Sequence, residues 1–172
     1  MDTAGLKALQ APLKERYRKS PEDAVVTLRA EGRAGEGITC SVPTARAMIE
    51  AGLHPATGGT GRQACSGDML LEALVACAGV TLNAVATALG FELRAATIRA
   101  EGDLDFRGTL GVAKEAPVGF RDIRLMFDID ADLSEEQRAT LLKLTERYCV
   151  VYQTLRNPPQ VKVEDARMRD PL

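Results

Sequence analysis

Sulfur dominates the chemistry available to this 172-residue chain: it carries four cysteines, Cys40, Cys65, Cys77 and Cys149, and one histidine, His54. A single histidine excludes mechanisms that need two, and most catalytic zinc sites. No two cysteines form a CxxC pair, so a structural zinc site and a thioredoxin-like motif are not expected. A zinc site from Cys65, Cys77, Cys149 and His54 would have spacings that fit no metal-binding pattern. Cys77 lies in the apolar run Leu74-Val75-Ala76-Cys77-Ala78-Gly79, where pattern alone reads it as a packed core residue. A mid-helix thiol becomes a nucleophile only with a cation brought in by tertiary contact. Cys149, in Arg147-Tyr148-Cys149-Val150, also reads as core, and Cys40 alternates with Ile38 and Val42 in a strand. Cys65 precedes a long helix, whose N-terminus can activate a thiol. His54, beside Pro55 in a polar loop, is a general base or a surface residue. Asp68 and Glu72 are candidates to steer a thiolate or a substrate proton. Their plainer roles are a helix-start charge for Asp68 and a partner-satisfied charge near a subunit interface for Glu72. Arg33, in Glu31-Gly32-Arg33-Ala34-Gly35, is by itself a solvated turn residue.

The elements that would position these groups follow from periodicity. Leu6, Leu9, Leu13 and Tyr17 predict an amphipathic helix over 3–19, ended near Ser20-Pro21. Its narrow apolar stripe suits packing on a partner subunit. Residues 24–42 read as a β-hairpin turned by Gly32, Gly35 and Gly37. The stretch 43–65 is ambiguous, with one helical turn or a strand at Ala45 to Ala51 and a binding-type loop at 54–61. Residues 67–89 form a slim, Ala-rich helix, apolar all round, with Ser66 to cap it, Asp68 in its first turn and Gly90 to end it. Glu72 and Asn83 inside it, and missing basic anchors, favour the buried axis of a core over a membrane span. Strands follow near Leu93 to Leu104 and over Phe120 to Ile129, separated by a Gly-rich turn. Ser134-Glu135-Glu136-Gln137 is a capping box for a helix that buries Leu141, Leu142, Leu144 and Tyr148. Asn157-Pro158-Pro159 precedes a last short strand with Val161 and Val163. The order predicts an α+β fold in one domain over 1–172, with a helical extension at 1–20 and a core at 24–165.

Composition narrows the partners. Net charge is -2, aromatics are 4% and tryptophan is absent, which argues against nucleic-acid binding. The N-terminus lacks the features of a signal peptide. The expectation is a cytoplasmic protein with reduced thiols and no membrane partner.

Taken in order, the segments form a combination. Gly32-Arg33-Ala34-Gly35 precedes Gly58-Gly59-Thr60-Gly61. Leu70-Leu71-Glu72-Ala73-Leu74-Val75-Ala76-Cys77 and Ala131-Asp132-Leu133-Ser134-Glu135-Glu136 follow, and Glu146-Arg147-Tyr148-Cys149 closes the last helix. From about Val25 to Val163 the chain resembles the family of osmotically inducible protein C (OsmC) and the organic hydroperoxide resistance proteins (Ohr). The resemblance implies an intertwined homodimer whose antiparallel sheets wrap around long central helices. It implies a thiol peroxidase that reduces organic hydroperoxides, with Cys77 the peroxidatic thiol, Cys149 the resolving thiol and Arg33 holding the Cys77 thiolate. A dithiol of lipoyl or thioredoxin type would regenerate the pair, with no metal or organic cofactor. Three positions depart from the family's peroxidase members: Gly67 stands where a glutamate is usual, Ser66 where a proline precedes it, and Val150 where a proline follows the second cysteine. The alternative on the same fold is a non-catalytic protein that binds a small apolar ligand at the dimer interface.

Overall fold

The computed structural model describes residues 3–34, 40–41 and 51–163. The hairpin turn with Gly35 and Gly37, the stretch from Ala45, and the end of the core at 165 lie outside the described residues.

The elements run α1 (Thr3–Lys19), β1 (Val25–Ala34), β2 (Cys40–Ser41), α2 (Ser66–Leu89), β3 (Ala95–Asp105), the one-turn α3 (Phe106–Thr109), β4 (Phe120–Asp130), α4 (Glu135–Tyr148) and α5 (Val150–Arg156). The two sheet regions of the sequence join in one four-stranded antiparallel sheet, ordered β2-β1-β3-β4. Helix α2 packs across β1 and β3 and against α4 and α5. This mixed helix and antiparallel-sheet architecture is the α+β fold that periodicity predicts.

Side-chain size sets how closely α2 meets the sheet. Along β3 alternate residues are buried, and this face presents Ala96, Ile98, Ala100, Gly102 and Leu104. Mostly small side chains let the helix approach, while Ile98 interlocks with it. Gly102 also leaves room for Phe120, because a Cβ there would stand 2.5 Å from the Phe120 ring. The opposite face of the sheet is charged. Arg124 on β4 pairs with Glu101, Asp103 and Asp122, Thr27 donates to Asp103 at 2.6 Å, and Arg99 pairs with Glu31.

Helix α2 is long and apolar enough to cross a membrane by composition alone, with a mean hydropathy of 1.8. Its packing between sheet and helices makes it the core helix. Leu71, Leu74, Val75, Ala78, Leu82, Val85 and Ala86 are buried on one side. The other side is less enclosed than an axial helix requires, and Leu70 and Val80 stay 37% and 38% exposed. Gly90 ends the helix in the left-handed region at φ 69° and donates to Ala86 and Thr87.

Five local expectations need correction. Ser66 is the first helical residue rather than the cap; Cys65 occupies the N-cap, with no side-chain cap bond. Helix α1 sinks Tyr17 fully into this chain's own core, and the Tyr17 hydroxyl donates to the Ala56 carbonyl at 2.6 Å. Leu13 packs against the same core. The Gly-rich turn contains α3, capped by Asp105, which accepts from the Arg107 backbone N–H and pairs with its guanidinium. Tyr148 is exposed, because α4 stops there and the chain turns. The final strand is absent: Val161 and Val163 are 84% and 95% exposed, without strand pairing, and an unpaired strand has no ladder to hold it. The capping box does form, with reciprocal bonds between Ser134 and Gln137.

Candidate active site

Cys77 and Cys149 are brought together although 72 residues separate them. Cys77 is half-buried at the middle of α2, one turn beyond the buried Leu74. Cys149 is fully buried at the joint of α4 and α5. Both thiols are free, and Cys77 is among the neighbours that act on the Cys149 thiol. Burial above all, with a smaller push from the neighbouring Cys77, holds the Cys149 thiol up at about 11 against the opposing backbone N–H groups of Tyr152 and Val151. Cys149 is therefore protonated at neutral pH.

The backbone explains why Cys149 is held so firmly. Its φ of -72° and ψ of 107° break the helix. Its N–H closes α4 on the Thr145 carbonyl at 2.9 Å, and its carbonyl accepts the first α5 bond from Gln153 at 2.9 Å. Its Sγ accepts from the Tyr152 N–H at 3.5 Å, which caps α5. The residue serves both helices at once.

A cleft of about 560 Å³ lies between β4 and the α4–α5 pair, and neither thiol is among its lining residues. Leu74, Phe120, Ile123, Leu125, Phe127, Tyr152 and Leu155 supply its apolar lining, and Arg121, Asp122, Glu146 and Arg156 its charged groups. Its connection to the sulfurs runs through Leu74, one turn from Cys77, and Tyr152, whose N–H meets Cys149.

The other candidates lie elsewhere. Arg33 sits in β1, opposite Thr97 of β3 and Ser41 of β2, on a strand that packs against α2; its guanidinium lies outside the described side chains. Asp68 is in the first turn of α2, roughly 13 Å along the axis from Cys77 at the usual helical rise. Partial burial raises its pKa, and His54 nearby opposes that rise. His54 stacks on Phe106, with ring centroids 5.0 Å apart, and its Nδ1 accepts from the Ala56 N–H at 3.0 Å. His54 and Asp68 thus belong with Cys65 to the start of α2, away from the thiol pair. Glu72 is half-buried on α2, five residues before Cys77, which turns it to a different side of the helix. The Cys40 side chain lies outside the described side chains. Among the described residues, no group of three His, Cys, Asp or Glu side chains could hold a metal.

The sequence reading missed the cleft wall from α5. The signal was present in Val151, Tyr152 and Leu155, whose helical spacing continues beyond Cys149.

A thiol on a long core helix, met by a second thiol at a helix joint and fronted by an antiparallel sheet, defines a class that comparison with known proteins identifies. The family model for OsmC-like protein matches residues 59–164, and the chain belongs to that family. Solved structures share the fold, two of them as follows. An OsmC-like protein from Mycoplasma pneumoniae is 18% identical, with 78% of this chain and 86% of that one covered and a TM-score of 0.55. An OsmC-like hydroperoxide resistance protein from Jannaschia sp. CCS1 is 18% identical, with 83% and 96% covered and a TM-score of 0.59. No curated protein sequence matches the chain.

Proposed function

We propose that the protein is a cysteine-based thiol peroxidase that reduces organic hydroperoxides. The observation that carries this reading is the proximity of two free thiols, Cys77 and Cys149. Cys77, the less buried of the two, attacks the O–O bond of the hydroperoxide. The sulfur takes one oxygen as a sulfenic acid, and the other leaves as the alcohol. Cys149 then attacks the sulfenic sulfur. Its thiol is protonated at neutral pH because burial pushes it up to about 11, so it brings the proton that lets hydroxide depart as water. The disulfide forms, and a dithiol of lipoyl or thioredoxin type reduces it by exchange. The cycle needs neither metal nor organic cofactor.

Arg33 is the proposed cation for Cys77 and for the charge growing on the leaving oxygen. Its place on β1, packed against α2, supports that role. Asp68, Glu72 and Cys65 stand at or near the start of α2, so their part in substrate binding would be indirect. The uncovered side of α2, with Leu70, Ala73, Cys77 and Val80, supports a homodimer in which a second copy closes over the site. A reducing, cytoplasmic setting suits a thiol cycle of this kind.

The test is consumption of cumene hydroperoxide with dihydrolipoamide as reductant. The wild type is expected to turn over. Cys77→Ser is expected to lose activity by at least about a thousandfold, and Cys149→Ser to stop after one turnover. Equal, slow consumption by all three proteins would overturn the proposal and leave a protein that binds without reacting.

A further inference from the structure

We infer that the cleft between β4 and the α4–α5 pair is a binding site for an aromatic carboxylate, its ring held among Phe120, Phe127 and Tyr152 and its charge met by Arg121 and Arg156. Neither thiol lines this cleft, so the site is separate from the sulfur chemistry and does not depend on it. At about 560 Å³ the cleft has the size of a small-molecule pocket.

A β-bulge builds its strand side. Asp103 of β3 stands opposite Asp122, but the next residue, Leu104, stands opposite Phe120. Arg121 is therefore the extra residue, with no partner on β3. A bulge re-aims side chains out of the strict alternation of a strand, and here it does so twice. Phe120 comes onto the same face as Ile123 and Phe127, whose β3 partners Gly102 and Ile98 lie on the buried face. The Phe120 ring lies over Gly102, where a Cβ would stand 2.5 Å from it. Arg121, released from the ladder, lines the cleft.

Ring content and charge then select the ligand. The chain has four phenylalanines, three tyrosines and no tryptophan, and three of these aromatics line this one cleft. Phe120, Phe127 and Tyr152 are each half-buried, so each keeps surface that the ring of a ligand can cover by stacked or edge contact. Of the charged lining groups, Asp122 is engaged by Arg124 at 3.2 Å. Among the described residues neither Arg121 nor Arg156 forms an ion pair, and both are exposed. Two uncommitted guanidiniums against the single carboxylate of Glu146 leave the rim with positive charge in excess. A guanidinium fork matches a carboxylate in shape as well as charge. Rings below a cationic rim therefore favour a flat apolar anion over its neutral counterpart.

Isothermal titration calorimetry of the reduced full chain, with no peroxide present, tests the site apart from any thiol reactivity. Naphthoate is expected to bind saturably with a Kd below about 1 mM. Naphthylmethanol, the same ring system without the charge, should bind at least about tenfold more weakly, and so should naphthoate to Arg121→Met or Arg156→Met. Octanoate, which brings the charge on a flexible chain that stacks on no ring, should bind more weakly than naphthoate. Absence of saturable binding, the result expected if a second copy covers the cleft, overturns the inference. Equal affinity for the acid and the alcohol, or arginine variants that bind naphthoate like the wild type, overturns it as well. Octanoate bound more tightly than naphthoate overturns the aromatic assignment.

Discussion

At the scale of single residues, the two thiols differ in a way that assigns them work. Cys149 is sealed in and kept protonated, while Cys77 keeps a partly open side. The shifted Cys149 thiol carries a consequence for stability. Its pKa in the folded protein, about 11, exceeds that of an unfolded thiol, about 8.5. The folded state therefore holds a proton that the unfolded chain releases. This contribution is complete below the unfolded value and is lost as pH rises toward about 11. Urea unfolding under reductant should show the wild type losing stability between these values, and Cys149→Ser should flatten that part of the profile. Equal slopes would remove the assignment. The residue scale is also where the sequence was least explicit. Cys77 and Cys149 each read as core when taken alone, and only family resemblance paired them. Spacing along a chain says nothing about a contact made across 72 residues. His54 and Asp68 were legible as polar groups, but that they share the start of α2 with Cys65, apart from the thiols, is a tertiary fact.

Elements with their own periodicity were the most readable part of the molecule. The spacing of Leu71, Leu74, Ala78, Leu82 and Val85 encodes α2, and Ser134 with Gln137 announces α4, because capping and burial are local in sequence. Element ends were less readable. Cys149 breaks α4 without Gly or Pro, and Val161 and Val163 alternate like a strand yet find no neighbour to pair with. Two substitutions test the packing of these elements. Gly102→Ala places a methyl 2.5 Å from the Phe120 ring and should cost about 1–3 kcal/mol, as overpacking does, read as a lower midpoint in urea. A near-neutral result would mean that Phe120 moves aside easily. On the charged face, Arg124 and Thr27 hold the Asp103 carboxyl down to about 2. A depressed carboxylate contributes stability above its unfolded value of about 3.9, and that contribution is lost as pH falls toward about 2. Arg124→Met should therefore shift acid unfolding to higher pH; an unchanged acid midpoint would show that the network adds nothing.

On the scale of the whole molecule, α2 is only partly served by its own chain. The sheet and α4–α5 bury one side and leave Leu70, Val80 and the small residues between them uncovered. The proposed homodimer covers this side, so Leu70→Glu should convert a dimer to a monomer in sedimentation velocity and should weaken peroxide turnover with it. A wild-type protein that sediments as a monomer would contradict the dimer. The same argument explains why α+β class and family were visible in the sequence while assembly was not: fold class follows from the order of elements, whereas a partner's contact leaves only an apolar excess on one helix.

The most direct measurement is peptide mapping by mass spectrometry after one equivalent of an organic hydroperoxide is added to the reduced protein. The account predicts one new cross-linked pair, the peptide of Cys77 joined to that of Cys149, with Cys65 still free. Persistent free thiols at both positions, with the hydroperoxide unconsumed, would contradict it.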